Sequence, residues 1–211
     1  MNEINIIKKE IAYFMRRLYK QGLTTTSGGN ISVRISAEEL LISPSQTDKG
    51  RMKASEIIRM KTDGTFENKP FKPSMEYGFH IEIYKNRPDI QAIVHAHPAL
   101  ATSFAVSHKP INCDLMGESR AVLGTPVFAS YALMGTASLA ANVADACKKS
   151  NVVLMENHGI ITVGKNLLEA FDRMEVLENT ARINILAGLL GGAKTLNETN
   201  LKAIDDLLFS K

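Results

Sequence analysis

The chain contains no tryptophan, has only 6% aromatic residues, and carries just two cysteines in 211 residues. Lysines and arginines are scattered rather than gathered into a stripe, so a nucleic-acid surface built from aromatic stacking and basic charge is not expected. Cys113 and Cys147 lie far apart, which excludes a CxxC motif and a disulfide framework and fits a reducing, cytoplasmic setting. No apolar run approaches the roughly 20 residues needed to span a bilayer. The first 22 residues interleave charges with apolar side chains and lack the core of a signal peptide. Neither nucleic acid nor membrane is therefore an expected partner.

What is present is an ordinary globular mixture, 45% hydrophobic and 22% charged, able to bury one core over a single domain, residues 1–211. The formal charge of +3 is small, but an anionic ligand needs only a local site. Ile4, Ile7, Ile11, Phe14 and Leu18 recur at helical spacing, and Gly22 is a natural stop. Strands are expected at 31–35, 40–43 and 57–61, with Asp63-Gly64 as a turn and 65–67 returning. Ser74 can cap a helix reaching Asn86, closed by Arg87-Pro88-Asp89. Beyond it the pattern predicts strands at 90–95, 125–129, 152–156 and 160–163, and helices at 98–107, 138–148, 167–190 and 198–209. Strands and helices alternate without strict order, so the class is α/β or α+β around one sheet.

His95-Ala96-His97 stands at the end of a strand, where residues i and i+2 share a face roughly 7 Å apart. A third imidazole, His158, follows another strand in Glu156-Asn157-His158-Gly159. Three histidines with a coordination position left over describe a catalytic zinc site better than a closed structural one, although imidazole alone does not select zinc. An HxH pair by itself is a loose signal; three of the five histidines at strand ends beside small residues make a tighter one. His80 lies one helical turn after Glu76 and reads as a satisfied core histidine or a support for the site, and His108 as an exposed turn residue.

Ser27-Gly28-Gly29-Asn30 has the composition of a backbone nest, with Asn30 able to donate a side-chain NH to an anion. Ser43-Pro44-Ser45-Gln46 is a second polar turn, and Pro73-Ser74 opens a helix. Together these turns can cradle a phosphate; singly each is a turn or a cap. Glu76, in the first turn of its helix, is a capping residue by default and a general base if that helix start faces the three histidines.

The segments Gly28-Gly29-Asn30-Ile31-Ser32-Val33-Arg34, Ile42-Ser43-Pro44-Ser45, Lys72-Pro73-Ser74-Met75-Glu76, His95-Ala96-His97 and Asn157-His158-Gly159 stand in the order and spacing of one family. The chain resembles the class II aldolase/adducin family, especially its L-fuculose-phosphate aldolases, over about residues 10–190. The resemblance implies a three-layer α/β/α sandwich with a mostly antiparallel central sheet. It implies zinc on His95, His97 and His158, and Glu76 as the catalytic acid/base. It further implies phosphate binding at Gly29, Asn30, Ser45, Gln46 and Ser74, a phosphorylated sugar as substrate, and a homotetramer with interfacial sites. Met75 and Gln46 depart from the serine and glycine often found at those positions, and no tyrosine stands near Leu115 or Met116 to meet the aldehyde oxygen. Tyr131, the next one downstream, fits a structural position better. The same scaffold serves 4-epimerases, methylthioribulose-phosphate dehydratases, keto-acid-phosphate decarboxylases and non-catalytic adducin-like modules. Asp114 is a conceivable acid/base partner for an epimerase.

Overall fold

A computed structural model describes residues 3–67 and 70–209. Helix α1, Glu3–Lys20, buries Ile11, Phe14, Met15 and Leu18 on one stripe, each side chain contributing about 1.5–3 kcal/mol by leaving water. Gly22, at φ 71°, ends it in the left-handed conformation that glycine adopts without strain.

The strands are β1 (Asn30–Arg34), β2 (Glu39–Ile42), β3 (Ile58–Lys61), β4 (Ala92–Ala96), β5 (Val127–Ala129), β6 (Val152–Met155) and β7 (Gly159–Gly164). They form one seven-stranded sheet in the order β3-β2-β1-β4-β7-β6-β5. Among the described residues every neighbouring pair is antiparallel except β5–β6. The remaining helices are α2 (Tyr77–Asn86), α3 (Ala99–Ser107), α4 (Gly117–Leu123), α5 (Ala137–Cys147), α6 (Leu167–Leu189) and α7 (Glu198–Phe209).

Side chains alternate across the pleat and divide the interior into two cores. Ile31, Ala92, Val94, Ala96, Leu154 and Ile160 pack with α1, α3 and α6. Ile93, Val153, Met155, Ile161 and Val163 pack with α2 and α5 on the opposite face. The result is the expected three-layer sandwich with a mostly antiparallel sheet. β4 and β7 are buried along their whole length at its centre, which is why their sequences read as nearly continuous apolar runs.

Three local expectations are corrected. Ser74 is not the N-cap of α2, because residues 72–74 are held extended against the turn after β2. Pro44 and Pro73 form a bridge, and Ser45 N–H donates to Lys72 O at 2.9 Å. The helix therefore starts at Tyr77, with Glu76 in the cap position and its side chain not capping. Residues 65–67 do return beside β3 after the Asp63-Gly64 turn, with Lys61 N–H donating to Thr65 O at 2.7 Å and Glu67 N–H to Arg59 O at 3.1 Å, but as an isolated Met60–Phe66 bridge rather than a strand. Helix α4 was not expected; it is seven residues long and lacks a side-chain cap, leaving little periodicity to see.

Candidate active site

The centre of the site follows from the β1–β4–β7 register. Asn30 lies opposite His95, and His95 opposite Ile161. Val94 and Ala96 face the α1/α6 core, so His95 faces α2, where the Phe79 ring meets it edge-on at 5.4 Å. His97 continues just beyond the strand. His158 arrives from the β6–β7 hairpin, which Asn157 turns at φ 53°, a conformation asparagine tolerates better than most residues. Ring nitrogens of His95, His97 and His158 lie within 4.8 Å of one another.

Close approach here depends on two glycines. A Cβ on Gly29, already at φ 69°, would stand 2.7 Å from the His95 carbonyl. A Cβ on Gly159 would run into His97 Cδ2 and stand 2.8 Å from the Ala96 carbonyl.

His95 is fully buried, and its Nδ1–H donates to Ile160 O at 2.9 Å. That bond fixes the tautomer and leaves the Nε2 lone pair pointing inward with no hydrogen-bond donor. An inward lone pair on a buried imidazole, beside two more ring nitrogens, is a donor set that fits a divalent ion. Glu76 reaches into the same space: Oε1 is 3.0 Å from His158 Nε2 and Oε2 is 3.3 Å from His95 Nε2. Burial alone would raise the Glu76 carboxyl, but its electrostatic and hydrogen-bonding contacts with the His95 and His158 imidazoles outweigh it and hold the group well below the usual carboxylate range.

A buried chain of hydrogen bonds orients that carboxylate. Tyr84 O–H donates to Ser32 Oγ (2.9 Å), Ser32 to His80 Nδ1 (2.7 Å), and His80 Nε2–H to Asn30 Oδ1 (2.5 Å). Asn30 then donates both Nδ2 protons, to Glu76 Oε2 (3.0 Å) and Ser74 Oγ (2.9 Å). Polarity along the chain requires a neutral His80, and burial followed by the nearby His95 charge pushes His80 down to about 3. His80 is thus a core histidine and a support for the site at once. Asn30 turns its amide protons toward Glu76 and Ser74 rather than toward open space.

In front of Glu76 lies a cavity of about 220 Å³. Gly28, Gly29, Asn30, Ser45, Gln46, Ser74, Glu76, His97 and His158 line it, so the fold brings the expected metal, phosphate and acid/base residues to one place. Gln46 sits at φ 53°, which accounts for the glycine common at that position. Met75 and Met134 also line the cavity, and Lys49 was missed altogether in the sequence, where a loop lysine reads as a solvated charge. Tyr131 is exposed and does not line the cavity, while Leu115 and Met116 lie where a short 3-10 turn passes into α4. Asp114 is committed to Arg120 at 3.0 Å. A larger cavity, about 470 Å³, opens beside Arg87, Arg120 and Arg173, but each of those guanidiniums is already paired with an acid.

The class II aldolase and adducin N-terminal domain family matches residues 9–185. The chain belongs to that family. Among its class II aldolase relatives, L-fuculose phosphate aldolase of Methanocaldococcus jannaschii is 31% identical over 179 residues, covering 85% of this chain and 96% of the relative. A 3-oxo-tetronate 4-phosphate decarboxylase of Haemophilus influenzae is 28% identical, covering 80% and 81%. A solved L-fuculose 1-phosphate aldolase superposes with a TM-score of 0.87 at 33% identity, covering 97% and 96%. Among the described residues no helix of this family member is long and apolar enough to cross a membrane.

Proposed function

We propose that the protein is a zinc-dependent lyase that reversibly cleaves a ketose 1-phosphate, of the L-fuculose 1-phosphate type, into dihydroxyacetone phosphate and a short aldehyde. The observation carrying this reading is the Glu76 carboxylate, held within 3.3 Å of two histidines of a three-imidazole cluster and facing a polar cavity.

His95, His97 and His158 would hold the ion, which supplies Lewis acidity toward the ketose carbonyl and the neighbouring hydroxyl. The loops at Gly29, Ser45, Gln46 and Ser74 grip the phosphate, so that binding energy remote from the reacting carbons positions them. The Ser74 hydroxyl accepts from Asn30 and from Glu76 N–H, which leaves its own proton for the phosphate. In cleavage the C4 hydroxyl proton passes to the ionised Glu76 carboxylate, the C3–C4 bonding pair passes into the C2–C3 enediolate, and Glu76 returns that proton to C3, which restores the carboxylate. In condensation Glu76 removes that C3 proton, a step worth about 10²–10⁴-fold for a well-placed acid/base. Asn30 keeps Glu76 aimed while it changes protonation state.

Identity to L-fuculose phosphate aldolases over nearly the whole chain supports the aldolase reading, and the decarboxylase relative supports a second. Loss of carbon dioxide from a phosphorylated keto acid leaves the same kind of enediolate for Glu76 to protonate. The family scaffold also supports a homotetrameric, cytoplasmic enzyme. Condensation of dihydroxyacetone phosphate with lactaldehyde and with glycolaldehyde, with the diastereomers resolved by NMR, tests the proposal. Carbon–carbon bond formation with mixed C4 configuration is expected, because among the described residues no tyrosine lines the cavity and about 1.4 kcal/mol suffices for only a tenfold preference. No condensation by the metal-loaded protein, together with carbon dioxide release from a 3-oxo-tetronate 4-phosphate, would replace the aldolase by the decarboxylase.

A further inference from the structure

Lys49 is the largest of the fully buried side chains, at 1% exposure, and it lies against the same cavity as the two glycines and the serines. Its ammonium donates one hydrogen bond, to Pro44 O at 2.6 Å, which leaves two protons over. Among the described residues no carboxylate lies within ion-pair distance; Glu56 acts on it only from farther away. An ammonium buried without a counter-ion is costly, and folds that keep one ordinarily supply a partner.

Its position is also fixed. Lys49 N–H donates to Thr26 O at 2.9 Å, tying it to the glycine loop. Asp48 Oδ1 accepts from Gly50 N–H at 2.9 Å, and a Cβ on Gly50 would stand 2.6 Å from the Tyr19 ring. The ammonium therefore sits under the Pro44–Gln46 turn, between the two polar loops, without freedom to swing out to water.

We infer that Lys49 is the counter-charge of the cavity, a binding residue whose ammonium neutralises the dianionic phosphate monoester of the substrate. This rests on the phosphorylated-ketose reading above. The loops alone offer neutral donors, backbone N–H groups and the hydroxyls of Ser45 and Ser74, which orient a phosphate without cancelling its charge. Burial pulls the Lys49 ammonium down to about 8, so it still carries its charge at neutral pH, and an arriving dianion strengthens that.

The test uses the metal-loaded full chain and two probes, inorganic phosphate and dihydroxyacetone phosphate, titrated calorimetrically into the wild type, Lys49→Met and Lys49→Arg. Lys49→Met should weaken both by roughly 10–100-fold, the usual effect of losing a charge-assisted hydrogen bond. It should leave metal content unchanged, whereas Lys49→Arg should recover part of the affinity. Equal phosphate affinity in wild type and Lys49→Met would overturn the inference while leaving the phosphorylated substrate in place. A wild type that binds neither probe would overturn both. Should Lys49→Met fail to fold, the Lys49 side-chain NMR signals of the wild type decide: a shift on adding phosphate supports the assignment, and none overturns it.

Discussion

Replacing Gly159 by alanine would test the metal centre without touching a ligand. The new methyl carbon would fall well inside contact distance of His97 Cδ2, 2.8 Å from Ala96 O and 3.3 Å from His95 Cε1. Ordinary carbon contacts need about 3.5–4.0 Å, so the His97 ring must retreat by roughly 1 Å. The Ala96 carbonyl cannot give way as easily, because Ala96 is paired with Ile160 at the centre of the sheet. Overpacking of this kind costs about 1–3 kcal/mol, or roughly 2–12 °C in melting temperature for a chain of this size. A metal–nitrogen bond is only about 2.1 Å long, so an ångström of displacement should remove His97 as an effective ligand. We expect metal affinity to fall by at least about 10–100-fold, the range seen when the support of a ligand is lost. Calorimetric melting of the metal-free chain reads the first effect, and competition with a chromophoric chelator reads the second. A Gly159→Ala protein that melts with the wild type and binds metal within twofold of it would refute the close approach of His97 to the hairpin.

His95→Ala should abolish metal retention and activity together, since His95 is the proposed ligand whose lone pair is fixed by the Ile160 carbonyl; full zinc occupancy by elemental analysis would contradict this. Glu76→Gln should keep the metal but slow exchange of the C3 proton of dihydroxyacetone phosphate by about 10²–10⁴-fold; an unchanged exchange rate would reduce Glu76 to a structural part. The metal-free protein should lose stability as the pH falls below about 6.5 toward 3. Buried His80 stays neutral there, down at about 3, while the unfolded chain takes up a proton, so stability rises with pH across this window by up to about 1.4 kcal/mol per unit. His97, also pushed down to about 3, first by burial and then by the charge of His95, adds a dependence of the same sign. Urea denaturation at several pH values should show a shallower slope in His80→Gln; an identical slope would remove His80 from the explanation.

The three-histidine cluster was legible because it obeys a local rule. Alternation in β4 sends His95 to one face and Val94 and Ala96 to the other, so an HxH motif in a strand already states its geometry. Helices α1 and α6 were legible for the same reason, their apolar stripe or length being written in consecutive residues. The network from Tyr84 to Glu76 was not, since it exists only once β1 lies beside β4 and α2 docks across both. Glu76 looked like a cap because acids favour helix starts; bridging of Pro44 to Pro73 delays the helix and frees the carboxylate. Gln46 was visible as a substitution, but the backbone cost that it bears became visible only with its dihedral.

The central β4–β7 ladder has a consequence for how such a chain tolerates change. His95 and His158 are far apart in sequence, yet their relation is set locally, by the pairing of Ala96 with Ile160 and by the tight hairpin from Met155 to Gly159. The chain from α3 to α5 leaves the β4–β7 ladder after His97, adds β5 at the far edge of the sheet and returns at β6, a detour whose length does not enter that relation. Insertions or deletions within the detour would remodel the ground beyond the cavity mouth and leave the spacing of the imidazoles as it was. A single residue added inside β4 ahead of His95 would do the reverse, turning His95 over to the α1 side, and one added inside β7 would shift the pairing of Ala96 with Ile160. The chain therefore separates a segment free to drift in length from a pair of strands in which length is fixed to the residue.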